Sequence, residues 1–133
     1  MKLVAAVLLV LAVPASAAAA LEVKLSVRPG APTKGKPTVV ELRPYWTKYR
    51  PDGTCCVLEP ADVRYPFRVQ AVSPSGRVFR LSVRKTSNRY IWAARFVFRS
   101  TGRWTLRAPQ WGPRYSRNFG ARPRIRFLVK SGV

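Results

Sequence analysis

The two cysteines of this chain, Cys55 and Cys56, are adjacent, and their chemistry is the most unusual that the sequence offers. Three states are open to them: a vicinal disulfide, two thiols that hold a soft metal such as Cu(I), or bonds to other molecules. A bridge between neighbours closes almost no loop, so it cannot be what stabilises the fold. We predict a vicinal disulfide, with a copper or redox role of the pair as the alternative and no other cofactor.

Catalytic side chains are scarce in this sequence. The chain contains no histidine, which excludes Ser-His-Asp and Cys-His catalysis and the commonest metal sites. Three carboxylates, Asp52, Glu59 and Asp62, lie close enough in sequence to form an acid–base pair. Ion pairs with the surrounding arginines and capping of turns account for them more simply. We therefore predict no catalytic residue and no enzymatic activity.

Charge is distributed very unevenly along the chain. The formal net charge is +20, and all five acidic residues lie between positions 22 and 62. Residues 63–133 contain seventeen Lys and Arg and not one Asp or Glu. Because 47% of the residues are nonetheless hydrophobic, the composition is that of a folded domain with a basic surface and not of a disordered tail. A negatively charged partner is expected.

The hydrophobic pattern has a period of two through most of the chain, which predicts strands that are buried on one face. Helical periodicity is absent. Strands are predicted over residues 21–27, 38–43, 65–72, 77–84, 90–99, 103–107 and 124–130, and the turn at Pro74-Ser75-Gly76 joins two of them as a hairpin. About seven strands in a chain of this length indicate an antiparallel immunoglobulin-like β-sandwich, with a small barrel as the alternative. Two segments, residues 44–62 and 108–123, are expected to be long loops.

Arginine occupies the outward positions of several predicted strands, so that whole sheet faces become basic. These residues form a candidate surface for an anionic partner: Arg80, Arg84, Arg95, Arg99, Arg103, Arg107, Arg124 and Arg126. In the second loop, Trp111 and Tyr115 alternate with Arg114 and Arg117, and aromatic and arginine side chains dominate binding hot spots. We include these four residues in the predicted site. The alternative is that the rings cap the open end of the sandwich.

The first residues have the pattern of an export signal. Lys2 precedes an apolar run from Leu3 to Val13, and Ala15-Ser16-Ala17 is a cleavage site of the usual type. We predict a signal peptide over residues 1–20 and one domain over residues 21–133, exported to the periplasm, the cell wall or the medium. An uncleaved anchor over residues 3–21 is the alternative.

Several segments resemble a known group of small bacterial domains. These are residues 69–78 (VQAVSPSGRV), residues 92–98 (WAARFVF) and Gly102-Arg103-Trp104 at the start of a late strand. They are similar to the exported Ig-like domains of the YtkA-like and FixH-like families. The resemblance implies an Ig-like fold and an association with copper handling and respiratory oxidases.

Together these observations predict an exported, monomeric, non-enzymatic Ig-like module that binds an anionic partner through its basic surface. The expected partner is an anionic envelope polymer, a lipid surface or an acidic protein. One alternative is an envelope copper or redox accessory protein that uses Cys55 and Cys56. Nucleic-acid binding is a further alternative, although no nucleic-acid motif is present.

Overall fold

The structure is a computed structural model, and it describes residues 20–64, 67–110 and 123–132. These residues form nine β-strands and no helix. The strands are β1 (Ala20–Arg28), β2 (Pro37–Lys48), β3 (Val57–Pro60), β4 (Arg68–Val72), β5 (Val78–Leu81), β6 (Arg84–Lys85), β7 (Trp92–Val97), β8 (Gly102–Gln110) and β9 (Arg124–Val129). Within this part of the chain no helix is long and apolar enough to cross a membrane.

The strands form two antiparallel sheets that pack face to face. The five-stranded sheet has the order β1-β2-β7-β6, with β3 added to the far end of β2, and the four-stranded sheet has the order β5-β4-β8-β9. In immunoglobulin terms these orders are A-B-E-D and C′-C-F-G, with β3 as an extra strand. The predicted Ig-like sandwich is therefore confirmed, with more strands than the seven expected.

The core lies between the sheets and follows the alternation of the sequence. Leu21, Val23 and Leu25 of β1 are buried, and so are Trp104 and Leu106 of β8. Aromatic rings join the two layers. The Phe98 and Trp104 ring centroids are 4.9 Å apart in an edge-on arrangement, and Phe98 packs in the same way on Phe127 at 5.2 Å. Because every second side chain faces this core, the polar residues between them must face solvent.

The prediction of a long loop over residues 44–62 is wrong in part. Strand β2 continues through Pro44 to Lys48, and β3 returns antiparallel to it, so the loop shrinks to residues 49–56. Pro44 interrupted the pattern in the sequence, yet its ring is buried and its carbonyl accepts a hydrogen bond from the Ala61 amide at 3.0 Å. The strand-forming Tyr45, Trp46 and Thr47 then outweigh the proline. Similarly, β8 extends to Gln110 inside the second predicted loop.

The single strand predicted over residues 77–84 is also wrong, because two strands of different sheets occupy that range. Strand β5 ends at Leu81 in the four-stranded sheet, and β6 begins at Arg84 in the five-stranded sheet. Leu81 and Val83 are both buried on either side of this crossing. Alternation therefore persists in the sequence although the pairing partner changes.

Residues 1–19 lie outside the described part of the chain, and the predicted signal peptide and the alternative anchor fall almost entirely on them. The first described residue, Ala20, already begins β1.

Candidate anion-binding face

The outer face of the four-stranded sheet carries positive charge alone. Its strands contain six arginines and no Asp or Glu, and five of the six are exposed while Arg107 is half-buried. The six are Arg68, Arg80, Arg103, Arg107, Arg124 and Arg126. The residues that alternate with them, such as Val69, Leu106 and Trp104, are buried in the core. The arginines therefore share the solvent side of one sheet.

Strand register aligns three of these arginines with Gln70 in one row across the whole sheet. Arg80 of β5 lies opposite Gln70 of β4, Gln70 lies opposite Arg107 of β8, and Arg107 lies opposite Arg124 of β9. We call Arg80, Gln70, Arg107 and Arg124 the cross-strand row. Neighbouring strands are about 4.8 Å apart, so the row extends across the sheet with a cation at three of its four positions. Like charges placed directly opposite destabilise a sheet.

A hydrogen bond fixes the middle of the row. The Nε of Arg107 donates to Oε1 of Gln70 at 2.8 Å. Beside this pair is a cavity of about 720 Å³, lined by Arg68, Arg80 and Arg107 together with Phe67, Leu81 and Pro109. A smaller cavity of about 240 Å³ continues past Arg107 to Pro123 and Arg124. The cross-strand row is thus the floor of a groove and not a flat surface.

Several cations of the five-stranded sheet, in contrast, form ion pairs with carboxylates. Glu41 of β2 is 7% exposed and binds Arg28 at 2.6 Å and Arg43 at 3.1 Å. The hydrogen bond to Glu41 raises the pKa of Arg43. Lys48 pairs with Glu59 at 2.8 Å, and Lys85 of β6 pairs with Asp62. All the cations in these ion pairs belong to strands of the five-stranded sheet, and none is an arginine of the four-stranded sheet.

The structure divides the arginines that the sequence grouped together. Arg80, Arg103, Arg107, Arg124 and Arg126 lie on the four-stranded sheet. Arg84 and Arg95 belong to the five-stranded sheet, and Arg99 lies between β7 and β8. The other predicted residues, Trp111, Arg114, Tyr115 and Arg117, lie outside the described part of the chain.

Two groove residues were missing from the predicted set, Arg68 and Gln70. Their signal was present, since Phe67, Val69 and Ala71 were predicted to point inward on the same strand. Arg68 and Gln70 must then point outward. Selecting residues by charge alone passed over Gln70, whose role depends on its cross-strand partners.

Cys55 and Cys56 lie next to each other in the loop between β2 and β3, with their sulfur atoms in contact, and the vicinal disulfide stays a prediction. Cys55 is exposed, and its carbonyl accepts a hydrogen bond from Nη1 of Arg50 at 3.3 Å. Asp52 accepts hydrogen bonds from the hydroxyl and the amide of Thr54, and the hydroxyl bond in particular lowers the pKa of Asp52. Within the described ranges no three His, Cys, Asp or Glu side chains gather as a metal site.

Comparison with known proteins gives no further guide to function. No family model, no curated protein and no solved structure matches this chain.

Proposed function

We propose that this protein is an exported, non-enzymatic binding module that holds an anionic polymer of the cell envelope on the outer face of its four-stranded sheet. The observation that carries this proposal is the set of six arginines on a face whose strands contain no carboxylate. A structural domain gains nothing from such a face, because like charges repel across strands and across the molecule. A polyanion removes that repulsion when it binds.

An extended polymer fits this face better than a compact partner does. The cross-strand row and its two cavities cross all four strands, so successive negative groups meet successive arginines. The guanidinium group contacts phosphate and carboxylate oxygens through two donors at once, which lysine cannot do. Each contact releases counterions from a polyanion, as happens on nucleic acids, and affinity should therefore fall steeply with salt.

The test compares two double variants that remove the same charge from opposite faces. Arg103→Gln with Arg126→Gln changes the four-stranded sheet, and Arg84→Gln with Arg95→Gln changes the five-stranded sheet. Binding to long-chain polyphosphate is measured at several NaCl concentrations. We expect the first variant to lose about tenfold or more in affinity, with a salt dependence shallower by roughly two counterions. The matched variant should stay within about twofold of the wild type.

Equal losses in the two variants would mean that total charge governs binding and not this face. Binding that does not respond to salt would refute an electrostatic mechanism altogether. Anionic vesicles and duplex DNA serve as competing anions in the same assay. If the protein clearly preferred vesicles or DNA to polyphosphate, that anion and not an envelope polymer would be its partner.

A second candidate function is a copper or redox accessory role in the envelope, and the exposure of Cys55 favours it. The experiment replaces both Cys55 and Cys56 by serine. If the protein has a copper or redox role, the reduced wild-type chain should bind Cu(I) and the double-serine variant should not. If it is a polyanion-binding module, the variant should keep its affinity for polyphosphate. Mass spectrometry of the non-reduced protein gives the oxidation state directly, since two free thiols add two hydrogens to the mass.

A further inference from the structure

We infer that the larger cavity beside Gln70 is a specific site for a phosphate ester, which gives the proposed polymer-binding face a chemical preference. This inference rests on the proposed function, because the cavity lies on the same face. It goes beyond that function because it requires specific hydrogen-bond donors that recognise the ligand, and not only positive charge.

The centre of the site is the amide of Gln70. Arginine has no hydrogen-bond acceptor, so the atom of Gln70 that meets Arg107 Nε must be the amide oxygen. The amide nitrogen of Gln70 therefore keeps its two N–H donors, and the described residues supply no acceptor for them. Among the described residues the Nη atoms of Arg107 likewise have no acceptor, while its Nε is held by Gln70. A half-buried group of donors with no acceptor of its own is an environment for an anion.

The flanking arginines approach this centre from two sides. Arg80 and Arg107 are the cross-strand neighbours of Gln70 on β5 and β8, so their backbones are about 10 Å apart. Side chains of this length reach an anion placed over Gln70 from both strands. A phosphate monoester presents three acceptor oxygens in different directions, which suits donors from both sides and from beneath. A carboxylate presents two oxygens in one plane and leaves some of these donors unpaired.

The rest of the cavity suits the carbon skeleton of such an ester. Its volume of about 720 Å³ is far larger than a phosphate ion requires. Phe67, Leu81 and Pro109 form apolar walls next to the arginines, and Ser82 adds a hydroxyl. The ligand class is thus a phosphorylated polyol or sugar, with its phosphate at Gln70 and its carbon atoms against the apolar wall.

Isothermal titration calorimetry on the purified protein at fixed ionic strength tests this site with glycerol 1-phosphate, inorganic phosphate and succinate. We expect glycerol 1-phosphate to bind most tightly, because succinate carries the same charge without the phosphate geometry and inorganic phosphate lacks the carbon chain. Arg107→Lys keeps the charge but loses the planar guanidinium group with its paired N–H donors, and Gln70→Leu removes the central amide donors. Each variant should weaken glycerol 1-phosphate binding by about tenfold.

The matched control is Arg95→Lys, which makes the same change at an exposed arginine of the five-stranded sheet that lines neither cavity. It should leave glycerol 1-phosphate binding within about twofold, and thermal melting confirms that each variant is folded. Equal affinity for succinate and glycerol 1-phosphate, or an equal loss in Arg107→Lys and Arg95→Lys, overturns the phosphate site. Neither result affects the salt-dependent binding of polyphosphate. The proposed function is therefore refuted only by the polyphosphate experiment.

Discussion

At the scale of single residues, the ion pair between Asp62 and Lys85 links the segment before β4 to the short strand β6. The hydrogen bond from Lys85 lowers the pKa of Asp62. Because the folded pKa is below the unfolded value of about 3.9, the unfolded chain takes up protons first as the solution becomes acidic. The pair thus stabilises the fold above about pH 4, and its contribution is lost as the pH falls through the folded pKa.

We expect Asp62→Asn to lower the urea midpoint at pH 6 and to have no effect at a pH below the folded pKa of Asp62. Urea unfolding followed by tryptophan fluorescence between pH 2 and pH 6 measures this difference. In a Lys85→Gln background the substitution should have little effect at any pH. A loss that stays constant over the whole range would show that Asp62 acts through packing and not through its charge.

At the scale of strands, the cross-strand row places Arg107 directly opposite Arg124 on β8 and β9. Opposed like charges destabilise a strand pair by a few tenths of a kcal/mol, up to about 1 kcal/mol. We expect Arg124→Gln to raise the free energy of unfolding by about 0.5 kcal/mol while weakening polyphosphate binding. Urea denaturation and the binding assay on the same samples measure the two effects.

The control for this trade-off is Arg43→Gln on the five-stranded sheet. Arg43 binds Glu41, so its loss should lower stability by up to about 1 kcal/mol and leave polyphosphate binding unchanged. If Arg124→Gln reduced stability and binding together, the arginines of β8 and β9 would belong to the stabilising structure and not to a binding surface.

The strands also show what the sequence could and could not predict. Alternation identified β1 and both strands of the β4–β5 hairpin, because one buried face forces a period of two. It missed β3, where Glu59 and Pro60 hide the pattern, and it joined β5 to β6 across the sheet crossing. Outward arginines were also predictable. Their division between two opposite faces was not, because strand order depends on long-range pairing that local patterns do not contain.

At the scale of the whole molecule, the stability of the free protein and that of its polyanion complex should respond to salt in opposite senses. With a formal charge of +20 the free protein repels itself, and salt should stabilise it by screening that repulsion. A bound polyanion stabilises the folded state by mass action, by about 2.7 kcal/mol at a hundredfold excess over Kd, and salt removes this gain by weakening binding. We therefore expect the thermal midpoint to rise with NaCl for the free protein and to fall with NaCl when polyphosphate is present. Differential scanning fluorimetry from about 20 mM to 500 mM NaCl would show two curves that converge at high salt.

In the Arg103→Gln, Arg126→Gln variant the curves should start closer together, whereas in Arg84→Gln, Arg95→Gln they should start as far apart as in the wild type. Curves of the same slope with and without polyphosphate would mean that no face of this molecule is reserved for an anion.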